Sequence, residues 1–159
     1  MRKLLAFLSV VLIVSCSSVD CPVYNMVATN YRCYNSNGDS LKLTDTLSVY
    51  SQRRDGTDTL LLNQFVGKAT FTLPVSYSHP EDKLVFSFKN GKTEVTDTVW
   101  VKKDDIPHFE SIDCNAKFFH TLTGVRSTTN KLDSVVIKNT SVNYDATTIH
   151  FYLYPKVSD

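Results

Sequence analysis

Four side chains suited to metal-ligand or acid–base chemistry stand close together late in the chain: His108, Glu110, Asp113 and His120. Imidazole and carboxylate supply hydrolytic metal sites, which need three converging ligands and one open position. His108 and Glu110 share a strand face by period-two alternation, and Asp113 falls in the turn that follows. His120 alternates with Phe118 and Leu122, an apolar face on which a hydrogen-bonded core histidine is the plainer reading. Nothing in the spacing makes the four converge. The chain also lacks a G-x-S-x-G elbow, an H-E-x-x-H helix and a phosphate loop. The sequence thus predicts a non-enzymatic protein without metal or cofactor, and a metal-dependent hydrolase around His108 and His120 is the second alternative.

Other groups carry less specific signals. Asn35-Ser36-Asn37-Gly38-Asp39 sets oxygen atoms around a glycine, but it lacks the spacing and terminal glutamate of a calcium loop and reads as a turn. Asp104-Asp105 likewise reads as a solvated turn. Trp100 lies on the face opposite Val99 and Val101, where an outward ring can stack on a sugar and be joined by Tyr152 and Tyr154. The competing reading has Trp100 pairing with a neighbour across strands. A carbohydrate-binding protein is therefore the first alternative function.

The N-terminus reads as an address. Arg2 and Lys3 precede an apolar run from Leu4 to Val14, followed by Ser15 and Cys16. A charged start, about 7–15 apolar residues and a small residue form a secretory signal. The run is too short to span a bilayer, which takes about 20 residues. Ile13-Val14-Ser15-Cys16 resembles the bacterial lipobox, whose cysteine is acylated and becomes the new N-terminus. Residues 1–15 are then a lipoprotein signal peptide, 16–22 a lipidated tether and 23–159 a single all-β domain. Removing Met1–Ser15 takes away Arg2 and Lys3, leaving 144 residues with 15 basic against 16 acidic. The expected location is the bacterial cell envelope, most simply the outer membrane. Its expected partners are the membrane, through the lipid, and an envelope protein or glycan.

With Cys16 acylated, Cys21, Cys33 and Cys114 remain in an oxidising compartment, enough for one disulfide and one spare thiol. The pairing stays open. A bond to Cys114 would close a long loop and stabilise by about 4 kcal/mol, whereas Cys21–Cys33 would only pin the N-terminal strand. No C-x-x-C spacing supports a thiolate metal site.

These groups must be positioned by strands. Seventeen Thr stand against three Glu and five Ala, a balance that favours sheet over helix. Seventeen basic against 16 acidic residues leave no concentrated basic surface, which excludes nucleic acid as a partner. A pattern of Asp, then Thr, Ser or Lys, then alternating apolar residues recurs at Asp45–Val49, Asp58–Leu62, Asp82–Phe86, Asp97–Val101 and Asp133–Ile137. It predicts five strand starts, with the third and fifth positions inward and Asp in the preceding turn.

Further strands are predicted within 23–34, 68–74, 117–123 and 149–154. In the last, Ile149, Phe151 and Leu153 point inward, and His150, Tyr152 and Tyr154 point outward. Asn35–Asp39, Arg54-Asp55-Gly56, Ser78–Glu81 and Asn90-Gly91 read as turns, the last as a hairpin. About eight to ten short strands predict an antiparallel β-sandwich, with a small barrel as the alternative.

Leu43–Val49, Leu60–Asn63, Leu73–Tyr77 with Pro80-Glu81-Asp82, Pro107–Cys114 and Val142–Asp145 resemble an uncharacterised family of Bacteroidota cell-envelope lipoproteins. The most specific part is P-H-F-E-S-I-D-C followed by Phe119-His120. The resemblance implies a lipid-anchored all-β domain and brings no reaction with it. The tripeptide Asp-Thr/Ser-Leu/Val also resembles the O-glycosylation acceptor motif of Bacteroidota envelope proteins. That resemblance makes Ser40, Thr46, Thr59, Thr98 and Ser134 candidate acceptors.

Overall fold

The computed structural model describes residues 21, 26–52 and 56–156. The signal segment 1–15, the lipidation candidate Cys16, the rest of the tether except Cys21, and Arg54-Asp55 of one predicted turn lie outside the described residues. Ten strands follow in order: β1 (Ala28–Cys33), β2 (Thr46–Gln52), β3 (Asp58–Phe65), β4 (Thr70–Pro74) and β5 (Glu81–Asn90). After them come β6 (Thr93–His108), β7 (Lys117–Ser127), β8 (Leu132–Ile137), β9 (Ser141–Val142) and β10 (Phe151–Pro155). They form two packed sheets, one of four strands in the order β4-β1-β10-β8 and one of six in the order β3-β2-β5-β6-β7-β9. The all-β sandwich read from the sequence is present. One pair departs from the antiparallel expectation: β1 and β10 run parallel, with Tyr31 beside Phe151.

Alternation explains which residues meet between the sheets. Leu47 and Val49, Leu84 and Phe86, and Val99 and Val101 are all buried, as the third and fifth positions of their repeats require. Val135 and Ile137 are partly buried against the same core. Leu60 is the exception and stays exposed. The β2–β3 register shifts twice, and Gln64 takes a left-handed backbone conformation (φ 49°), so β3 does not keep strict alternation. At the centre, Tyr31 stacks between Phe71 (5.1 Å) and Phe151 (4.7 Å), its neighbours on β4 and β10. Phe86 closes on it edge-on from the other sheet. Each such buried ring contributes about 1.5–3 kcal/mol of apolar burial.

Three predicted positions are corrected by the structure. Asp97 does not start a strand but lies inside β6, where its carboxylate finds donors on the β7–β8 connection. Asp104-Asp105 is not a turn: both residues lie in β6, paired with Thr121 and His120. The hairpin between β5 and β6 has Gly91-Lys92 as its two central residues, since Asn90 pairs with Thr93. Gly91 supplies the positive φ (58°) that the first central position of a type II′ turn demands.

The length of β6 shapes the molecule. Thr93–Lys102 pairs with β5, and Val99–His108 pairs with β7. Beyond Lys102, therefore, β6 is held by β7 and by the 78–80 loop, through Lys103 N–H to the Pro80 carbonyl (2.9 Å). The β6–β7 hairpin projects past the end of β5.

Candidate functional site

The inward face of β6 reads Val99, Val101, Lys103, Asp105: two core residues, then a cation and an anion on the same stripe. Lys103 has a fully buried side chain. Its ammonium donates to the His79 carbonyl and lies 3.8 Å from Asp82 Oδ1 and 3.7 Å from Asp105 Oδ1. Asp105 Oδ1 in turn meets His120 Nδ1 at 2.7 Å. Four strand positions thus place one connected chain, Asp82–Lys103–Asp105–His120, at one end of the core. Burial pushes the Asp82 carboxyl up from its ordinary value, and Lys103 and the Ser76 N–H offset part of that.

Asp82 also lines a cleft of about 580 Å³ together with Ser76, Ser78, His79, Gln52 and Thr59. The hydroxyls of Ser76 and Ser78 bond each other at 2.9 Å. The cleft offers a polar wall over a buried ion-pair network. Among the described residues, no group of three His, Cys, Asp or Glu is placed to hold a metal.

The four residues singled out by chemistry separate into three places. His108 Nε2 lies 3.5 Å from Glu110 Oε1, and its ring stacks on Phe119 at 4.2 Å. Phe119 and His120 are consecutive on β7 and so point to opposite faces. His120 is buried on the inner face with Asp105, as a core histidine would be. Asp113 is exposed in the turn before Cys114. His108 and His120 are therefore on opposite sides of the sheet.

His150, predicted outward, is 1% exposed. Its Nδ1 accepts the Asn30 N–H at 3.0 Å, and its Nε2–H donates to the Ser141 carbonyl at 3.1 Å. Burial lowers its pKa, consistent with a neutral ring that uses both nitrogens. Asn35 Oδ1 accepts from the N–H groups of Asn37 (3.0 Å) and Asp39 (2.8 Å), which makes 35–39 a side-chain-closed turn.

The aromatic candidates do not form one platform. Trp100 is in the six-stranded sheet, covered by the Arg126 guanidinium 3.9 Å from its ring centroid, and Arg126 is held by Glu81 at 3.0 Å. Tyr152 and Tyr154 are in the four-stranded sheet, grouped with Tyr34 at 4.5 and 6.2 Å. The sugar-stacking reading would join Trp100 to these tyrosines, and the sheet assignment keeps it apart; Trp100 instead pairs with Arg126 across strands, as the competing reading has it.

Cys21 is bonded to Cys114, with Cα atoms 5.6 Å apart. Among the described residues the free thiol is the buried Cys33, pushed up to about 12 by burial. Of the candidate acceptors, Ser40 is exposed, while Thr46, Thr59, Thr98 and Ser134 are half-buried. Thr98 departs from the expected turn-to-strand edge, since it follows the buried Asp97 within an inner strand.

The sequence reading missed Lys103 and Asp82 as members of a buried network. The signal was present in the alternation: Lys103 continues the stripe of Val99 and Val101, and Asp82 precedes Leu84, Phe86 and Phe88. No curated protein and no solved structure matches the chain. A family model matches residues 46–155, from the start of β2 through β10, and the chain belongs to that family of unknown function, DUF6452.

Proposed function

We propose that this protein is an exported, lipid-anchored β-sandwich with an interaction role in the cell envelope and no reaction of its own. The observation that carries the reading is the Cys21–Cys114 disulfide. Such bonds persist in oxidising compartments, and this one begins five residues after the lipobox-like Cys16. Several acyl chains on Cys16 would make attachment durable, since each buried CH₂ contributes about 0.8 kcal/mol. The buried network beneath the cleft fits a structural role, because every member has its partners within the fold. Metabolic labelling with an alkyne fatty acid in a lipoprotein-processing host tests the anchor. Wild-type protein should take the label and Cys16→Ser should lose it; an unlabelled wild type overturns the reading.

A second reading is favoured by one observation. Tyr34, Tyr152 and Tyr154 stand together on one sheet, with Lys138 Nζ 5.8 Å from the Tyr152 ring centroid. Aromatic rings beside a cation suit an acidic glycan. Co-sedimentation with envelope polysaccharide, lost in Tyr34→Ala and Tyr152→Ala, is the expected outcome of that reading. Partial O-glycosylation at Ser40, Thr59 and Ser134 is part of the proposal, because Asp39, Asp58 and Asp133 of their motifs are exposed.

A further inference from the structure

The connection at the far end of the β6–β7 hairpin holds two apolar side chains out in solvent. Phe109 is 64% exposed and Ile112 is 96% exposed. Ile112 is not loosely placed. The Cys114 N–H donates to the Ser111 carbonyl at 3.1 Å, closing a four-residue turn with Ile112 as its first central residue. Phe109 and Ile112 thus leave apolar side-chain area uncovered at one end of the β6–β7 hairpin, on a turn with a defined backbone.

The disulfide says what that surface faces. Cys114 ends the same turn and is bonded to Cys21. Cys16 is five residues upstream, and five extended residues span at most about 18 Å. Resting on the lipid-anchor reading above, this covalent path keeps the hairpin tip close to the acylated residue. We propose that Phe109 and Ile112 form a membrane-contact surface that dips into the lipid interface beside the anchor and sets the orientation of the domain. Glu110 and Asp113 flank the two residues, and Glu110 faces His108. The contact is therefore apolar, with no call on anionic headgroups, and zwitterionic phosphatidylcholine suffices as the surface.

The test uses full-length lipidated protein in phosphatidylcholine vesicles carrying brominated acyl chains. Trp100 is the single native tryptophan. It is replaced by phenylalanine, and Phe109→Trp reports from the tip; the native Trp100 protein reports from the six-stranded sheet. Flotation with vesicles is read in parallel for wild type and Cys16→Ser. The expected result is flotation that depends on Cys16, a blue-shifted and quenched Trp at 109, and an unquenched Trp100. Flotation with an unquenched tip overturns the membrane-contact surface and leaves the anchor standing. Absence of flotation overturns both. A blue shift that depends on protein concentration, without quenching, makes a second copy of the chain the occupant and also overturns the proposal. Phe109→Ser with Ile112→Ser should leave the thermal midpoint unchanged. In the Cys16→Ser background, that double variant should weaken residual vesicle binding by about tenfold or more.

Discussion

The Asp97 carboxylate accepts the Leu132 N–H at 2.7 Å, joining an inner strand of one sheet to the first residue of β8 in the other. The same carboxylate accepts from Thr128 Oγ1, Asn130 N–H and Lys131 N–H at 2.6–2.7 Å. Asp97 thereby closes the connection by which the chain crosses between sheets. Burial alone would raise its pKa, but these four donors outweigh that effect and hold the carboxyl below its ordinary value.

Asp97→Asn is expected to lower stability by about 2–4 kcal/mol at pH 7, read by urea unfolding. Thr128 and Asn130 share Oδ1, whereas Lys131 and Leu132 share Oδ2, and an amide nitrogen cannot accept those last two bonds. The sign with pH follows from a lowered folded pKa. The contribution is present above the unfolded value of about 3.9 and is lost as pH falls through the folded one. The gap between wild type and variant should therefore narrow below about pH 4.

Lys103→Met should destabilise by about 3–5 kcal/mol, because it leaves Asp82 and Asp105 without their buried cation. Adding Asp82→Asn should recover part of the loss, giving a favourable coupling in a double-mutant cycle. Asp82 already has a raised folded pKa. The stability tied to its neutral form is present below the unfolded carboxylate value and is lost as pH rises through the folded one, and Lys103→Met, which removes the offsetting cation, should enlarge that loss. A pH dependence of unfolding identical to that of wild type would contradict the network.

Cys21→Ser with Cys114→Ser should lower stability by about 4 kcal/mol, as expected of a cross-link over 93 positions. A midpoint in urea unchanged from wild type would show that the bond constrains little of the unfolded chain.

Native protein should resist a thiol reagent at pH 8, since Cys33 is buried and its thiol is pushed up to about 12. In denaturant without reductant, the acylated protein should show one reactive thiol. Two reactive thiols would mean that Cys16 is unmodified.

The strands were legible because their residues alternate. Leu47/Val49, Leu84/Phe86 and Val99/Val101 face inward as period two demands, and the apolar side of β7 carries His120 and Leu122. Local letters failed where a distant segment decided the matter. Asp97 looks like a strand entry and is instead the acceptor for residues 31–35 positions later. His150 looks outward until Asn30 and Ser141 supply partners for both ring nitrogens. The disulfide needed the same distance information, since Cys21, Cys33 and Cys114 offered three pairings of equal chemical sense. Lys103 was overlooked because a lysine at an inward position contradicts the ordinary cost of burying a charge, until Asp82 and Asp105 are seen beside it.

The most direct test of the central claim is the intact mass of the protein purified from its native membranes under non-reducing conditions. The account predicts a polypeptide of residues 16–159 plus the acyl groups on Cys16, less two hydrogens for Cys21–Cys114, with additional mass from any glycan. Lipid and polypeptide mass alone would remove the O-glycosylation part. A chain retaining Met1–Ser15, or one starting at an unmodified Cys16, would contradict the lipid-anchored reading itself.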